Sequence, residues 1–257
     1  MKISQRLQYI NNMIHDQYEH IWDCCCDHGL LGAALLKRNA AKAIHFVDVV
    51  PELMHEIEQK LTRFYPVTGS TVQISSNQNV NQHNSVWQIH CADVGKIQLA
   101  PISESQLIII AGVGGDLTIS LVAEIIARHP NHTLEFIICP VHHTYKVRQA
   151  MQDLGMGLLS EHLLQENKRF YEIIHLIKSP QLPENTDVPN EPVSLVGSAM
   201  WDFSRDIDKA YLQSLLNHYQ RIEQGLVNSN ISQSLSNKGE ITILKRIIKD
   251  YQALLNN

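Results

Sequence analysis

No run of about eighteen apolar residues occurs in the chain, so no membrane-spanning helix is expected. Met1 to Gln17 holds no apolar stretch of signal-peptide length either, and the expectation is a soluble, cytoplasmic protein. Metal-ligand spacing is missing too. Five cysteines include the consecutive Cys24, Cys25 and Cys26, which lack the two-residue gap of a zinc site. Neighbouring residues of a strand point to opposite faces, so these three do not form a disulfide framework. Cys91 and Cys139 stand alone in apolar runs, and the fourteen histidines are scattered. Reduced, buried thiols and no bound metal are expected. Positive charge is short: 21 Lys and Arg against 26 Asp and Glu leave a formal charge of −5. A broadly basic nucleic-acid module is thereby disfavoured, and any contact with a polyanion must rest on local patches.

What is present is core material. Apolar residues make up 44% of 257 residues, enough for one large domain and a small appendage. Residues 4–15 read as an amphipathic helix capped by Ser4. Strands are expected at 20–26, 43–47, 86–91, 106–111, 134–139, 157–164 and 170–177, with helices at 30–39, 51–64, 117–128 and 145–154. A polar excursion at 66–85, with a short hairpin near Val72 to Ile74, interrupts the alternation. Alternating strands and helices imply a parallel sheet with right-handed crossovers, and the last two strands an antiparallel edge pair. The fold class is therefore α/β: a doubly wound, mostly parallel, seven-stranded sheet over residues 1–178. Residues 179–199, with four prolines, read as a linker. In residues 200–257 two stripes, Ile207 to Leu226 and Ile241 to Leu255, predict an antiparallel α-helical hairpin. Self-packing is the plainer use of those stripes; contact with a partner or RNA is the sharper one.

Chemistry concentrates where strands end. Asp23-Cys24-Cys25-Cys26-Asp27-His28-Gly29 joins the first strand to the next helix, where ligands of open sheets bind. Asp23 or Asp27 could accept from the ammonium of a methionine moiety, with Gly29 letting it approach closely and Cys25 a further cofactor-binding candidate. Two acids would repel a pyrophosphate, and the full Gly-x-Gly-x-x-Gly turn of a nicotinamide-dependent oxidoreductase is absent. The turn thus prefers S-adenosylmethionine, although two capping or solvated aspartates would look the same. Asp48, followed by Val49, ends the second strand and could take both ribose hydroxyls. Ala92-Asp93 ends the third, where the carboxylate could accept from an adenine amino group. After the fourth, Ala111-Gly112-Val113-Gly114-Gly115 leaves few side chains in the way. Gly112 and Gly114 are expected to line the substrate base, with Gly115 beside them.

These motifs carry a resemblance. With Ser4-Gln5-Arg6-Leu7, Asp23 through His28, Ala111 through Gly115, Glu166 through Glu172 and the C-terminal hairpin, the chain resembles the bacterial tRNA (adenine-22, N1)-methyltransferase family over nearly its whole length. The resemblance implies a class I methyltransferase domain, S-adenosylmethionine as donor, and N1 of an adenine in the tRNA D-arm as acceptor. The chain departs from the family at Cys25, Asp48, Val113 and Val141.

On this reading Asp27 and His28 are the catalytic candidates. Phe170 or Tyr171 could stack on the base, and Lys146, Arg148, Lys168 and Arg169 could hold phosphates. Three alternatives stay open: a methyltransferase for another RNA or a small molecule, a nicotinamide-dependent oxidoreductase, and a non-catalytic cofactor-binding protein. The oligomeric state is not legible, and a monomer is compatible with the sequence.

Overall fold

A computed structural model describes residues 3–15, 18–66, 86–180, 191–228 and 235–256. The polar excursion expected to carry a hairpin at 72–74 lies outside them, as do residues 181–190 of the expected linker.

Helix α1 (Gln5–Met13) begins at Ser4, whose Oγ accepts from the Leu7 N–H at 3.2 Å. Then follow β1 (Tyr18–Cys24), α2 (Leu30–Lys37), β2 (Ala41–Asp48), α3 (Pro51–Phe64), β3 (Val86–Cys91), β4 (Gln106–Ala111), α4 (Gly115–Arg128), β5 (Leu134–Cys139) and α5 (Thr144–Asp153). Strands β6 (Gly157–Glu166) and β7 (Arg169–Lys178) form the antiparallel pair. The turn between them has Asn167 and Lys168 at φ 50° and 65°, the two left-handed residues of a tight hairpin turn. The sheet order is β3-β2-β1-β4-β5-β7-β6-β8. The seven expected strands all form, and an eighth, β8 (Glu191–Pro192), pairs with Gly157 and Leu158 at the edge. Strands β1 to β5 are parallel. The order reverses between β1 and β4, and such a switch point leaves a crevice at the carboxyl ends of the two strands.

Alternation along the central strands builds two cores. Ile21, Leu107 and Ile109 face α1, α2 and α3, packing with Ile10, Leu35, Phe46 and Ile57. Trp22, Ile108 and Ile110 face α4 and α5, packing with Val122, Phe136, Val147 and Met151. A strand buried on both faces needs such an unbroken apolar run.

One row of the sheet is polar. Glu104 lies 2.5 Å from His20 Nε2, His20 Nδ1 lies 2.8 Å from His45 Nε2, and His45 Nδ1 lies 3.0 Å from His90 Nε2. A carboxylate can only accept, so His20 Nε2–H donates to Glu104. Burial pushes the His90 imidazole down. The Trp22 ring stacks on His45 at 3.8 Å. Burial, helped by the neighbouring His90 and His20, pushes the His45 imidazole down to about 3.

Helices α6 (Asp206–Asn228) and α7 (Leu235–Ala253) follow. Leu212 and Leu216 meet Ile247, Ile248 and Tyr251 of α7, with Tyr145 of α5 in the same cluster. Tyr211, together with Ile207 and Leu215, packs on Leu163 and Phe170 of the β6–β7 pair. The stripe expected to form the hairpin seam therefore partly faces the sheet, and α6 joins the two parts of the molecule.

Arg148 holds that junction. Its expected role as a surface phosphate contact is corrected: the side chain is wholly buried, 2.7 Å from Glu161 and 2.6 Å from Glu172. Its Nη1 also donates to the Ser194 carbonyl at 3.1 Å, and Tyr211 donates to Glu172 at 2.6 Å. Carboxylates on β6 and β7 draw the guanidinium inward, since buried charge is tolerated only when paired. Among the described residues no helix is long and apolar enough to cross a membrane, and no three His, Cys, Asp or Glu side chains are arranged to hold a metal ion.

Candidate active site

The turn after β1 is strained in a regular way. Cys25, Asp27 and Gly29 take φ of 55°, 49° and 68°, so alternate residues are left-handed. For a residue with a Cβ that conformation costs roughly 1–2 kcal/mol, and such strain gathers at functional sites. Hydrogen bonds hold it in place. The Cys26 N–H donates to the Val47 carbonyl at 3.3 Å, and the Gly29 N–H to Cys26 at 2.7 Å. Asp48 joins the strand ends: Oδ2 accepts from the Asp27 N–H at 3.3 Å and Oδ1 from the Val50 N–H at 3.2 Å. Its carbonyl accepts from the Ala92 N–H at 3.0 Å. Val49 beside it is 62% exposed, an apolar surface at the rim.

The acids expected at three successive strand ends converge. Burial, with the carboxylates of Asp48, Asp23 and Asp93 adding to it, pushes the Cys25 thiol up to about 11. Three acids acting on one thiol share one neighbourhood, and the thiol stays neutral at pH 7. Their roles differ. Asp23 is buried and accepts from the Gly32 N–H at 2.8 Å, fixing the start of α2 from beneath the turn. Burial raises its carboxyl to about 7 against that bond, with Asp48 adding repulsion. Asp93 bonds Lys96 at 3.1 Å and the Gly95 N–H at 3.0 Å, which hold its carboxyl low. Asp27 is exposed and lies 3.7 Å from the His28 ring. A rim with surplus negative charge, part of it forced towards protonation, suits a cationic ligand.

The glycine segment divides. Gly112 has φ 100°, and its N–H donates to the Cys139 carbonyl at 3.0 Å, tying β4 to β5. A Cβ there would lie 3.0 Å from Arg6 Nη2. Gly114 faces the His142 ring, which a Cβ would approach to 2.8 Å. Gly115 is corrected as a substrate contact: it is buried, and a Cβ would meet the His142 carbonyl at 2.7 Å. It is glycine so that the loop after β5 can cross the start of α4. Lys146 is exposed but engaged by Asp116 at 2.6 Å.

Lys168, Arg169 and Tyr171 reach a groove of about 710 Å³ between the loop after β5, the β6–β7 turn and α6. His142, His143 and His218 line it as well. A more apolar groove of about 570 Å³ runs between α2 and α3 and touches the rim only at His28 and Gly29. Sequence reasoning missed the groove's wall from α6 and gave Arg6 no role. The pattern around Arg6 marked a helix, and nothing local linked it to Gly112.

Residues 3–174 match the family model described as a methyltransferase domain. No curated protein sequence matches the chain. Among solved structures, a Listeria monocytogenes serotype 4b protein is 20% identical with a TM-score of 0.71, covering 99% of this chain and 100% of that one. M. capricolum TrmK in complex with S-adenosyl-homocysteine is 15% identical with a TM-score of 0.68, covering 100% and 99%. The B. subtilis m1A22 tRNA methyltransferase TrmK is 18% identical with a TM-score of 0.66, covering 98% of each chain. At these identities the likeness is one of fold, and it extends through the C-terminal helices.

Proposed function

The chain belongs to the methyltransferase-domain family, and from that premise we propose that it transfers a methyl group from S-adenosylmethionine to N1 of an adenine, position 22, in tRNA. The observation that carries the proposal is the acid-rich rim at the β1–β4 switch point. It stands beside a groove that offers cations and aromatic rings. The rim suits a donor bearing an ammonium and a sulfonium, and the groove suits a polyanion presenting a flat base. The fold shared with proteins named as TrmK supports the tRNA substrate. A tRNA substrate implies action in the cytoplasm.

Asp23, Cys25, Asp27 and Gly29 would hold the methionine end, Asp48 and Val49 the ribose, and Ala92 and Asp93 the adenine of the donor. When bound, S-adenosylmethionine supplies an electrophilic methyl group on a positively charged sulfur. The adenine N1 of an unpaired base already carries a free lone pair, so no residue need remove a proton. In-line attack forms the N1–methyl bond as the sulfur–methyl bond breaks. The sulfur becomes a neutral thioether and the positive charge passes to the base. The chain's task is to align the base and to stabilise that charge. Asp27 and His28 stand at the reacting end, and Asp27's exposed carboxylate is suited to an incoming cationic ring. Lys168 and Arg169 would hold phosphates and Tyr171 would stack on the base. Extracting that base from its own stack costs roughly a few kcal/mol.

The test is methyl transfer from tritiated donor to tRNA lacking the modification, followed by nucleoside analysis. Label in 1-methyladenosine supports the reading; label confined to another nucleoside overturns it.

A further inference from the structure

Among the described residues, no acid answers the charge of Arg6. It lies in the first turn of α1, half-buried, and among the described residues it forms no ion pair with Asp or Glu. Its guanidinium sits over the Tyr171 ring, 5.0 Å from the centroid, touches the Cys139 thiol, and occupies the space that a Gly112 side chain would take. The position is built rather than incidental. The Gln5 N–H donates to Glu166 at 2.6 Å, Ser4 caps the helix, and Tyr9 meets His162 at 5.1 Å, so α1 is pinned to the β6–β7 pair. Gly112 directly follows β4, Cys139 ends the neighbouring β5, and β4 borders β1 at the reversal of strand order. Arg6 therefore overlooks the crevice from the side opposite Asp48.

S-adenosylmethionine bears an ammonium and a carboxylate on the same carbon. A rim of acids can answer only the first. We propose that Arg6 binds the carboxylate of the donor's methionine moiety, an assignment that rests on the donor reading above. A planar guanidinium offers paired donors matched to a carboxylate, and stacking on Tyr171 leaves its edge free to donate. A phosphate of the RNA is the other anion with this chemistry.

Calorimetric titration separates the sources. Wild type, Arg6→Gln and Arg6→Lys are each titrated with S-adenosylhomocysteine and with its decarboxylated analogue, which keeps the ammonium. The expected result is a loss of about 10- to 100-fold in S-adenosylhomocysteine affinity for Arg6→Gln, with partial recovery in Arg6→Lys. The decarboxylated analogue should bind all three proteins within about twofold, which also shows that the variants are folded. Equal losses for both ligands would overturn the proposal in favour of a packing role. Unchanged S-adenosylhomocysteine binding, with weaker tRNA binding and a salt dependence reduced by about one unit, would overturn it in favour of a phosphate. If wild type binds neither ligand, the donor reading itself falls.

Discussion

Acidification should weaken the histidine row by an amount that the structure sets. His45 has its imidazole lowered from 6.5 to about 3, chiefly by burial. Its folded value is depressed, so the unfolded chain binds the extra proton between those two values. Stability from this group is therefore present above about pH 6.5 and is lost as pH falls towards 3. At 1.36 kcal/mol per unit, the loss between pH 7 and pH 5 is about 2 kcal/mol. Asp23 runs the other way. Its carboxyl is raised from 3.8 to about 7, so the folded state keeps a proton that the unfolded chain releases. Stability from Asp23 rises by about 2 kcal/mol over the same interval as pH falls. The two nearly cancel, and the wild-type profile alone is uninformative. The difference between wild type and His45→Gln is not. Urea unfolding followed by tryptophan fluorescence at pH 7 and pH 5, at fixed salt, should show the wild-type advantage shrinking by about 2 kcal/mol. An advantage unchanged between the two pH values would refute a His45 buried in its neutral form.

Arg148→Ala should cost about 3–5 kcal/mol in urea unfolding, because it leaves the Glu161 and Glu172 carboxylates buried without their cation. Arg148→Lys should not restore it, since one ammonium cannot reproduce the fork. Asp48→Ala should weaken donor binding by about tenfold or more in calorimetry, since it removes the acid expected to hold the ribose and two bonds that stitch the turns. Lys168→Ala and Arg169→Ala should each reduce the slope of log affinity against log salt for tRNA by about one unit, as read by gel shift.

The architecture was legible because most strands are apolar runs and each rim acid sits at or just beyond the end of its strand. Asp23, Asp48 and Asp93 end up around one thiol, as three acids at three successive strand ends implied. What stayed hidden depends on residues far apart in the chain. The neighbours of Arg148 lie on β6 and β7, so its charge reads as surface until their carboxylates are seen pointing inward. His20, His45 and His90 are scattered in sequence, and only the parallel register of β1, β2 and β3 brings them together as diagonal neighbours on one face. Arg6 needed Gly112, which follows β4 far along the chain. Gly115 looked like an open rim residue, but its missing side chain makes room for the loop after β5. Composition marks a glycine and leaves open which neighbour requires it. The two-residue β8 carries too little pattern to announce itself.

The most direct test uses two tRNA transcripts that differ only at position 22, one with adenine and one with guanine, incubated with the protein and S-adenosylmethionine. The account predicts about one methyl group per adenine transcript, mapped to N1 of that base, and none on the guanine transcript. Equal methylation of both transcripts, or methylation of neither, would contradict it.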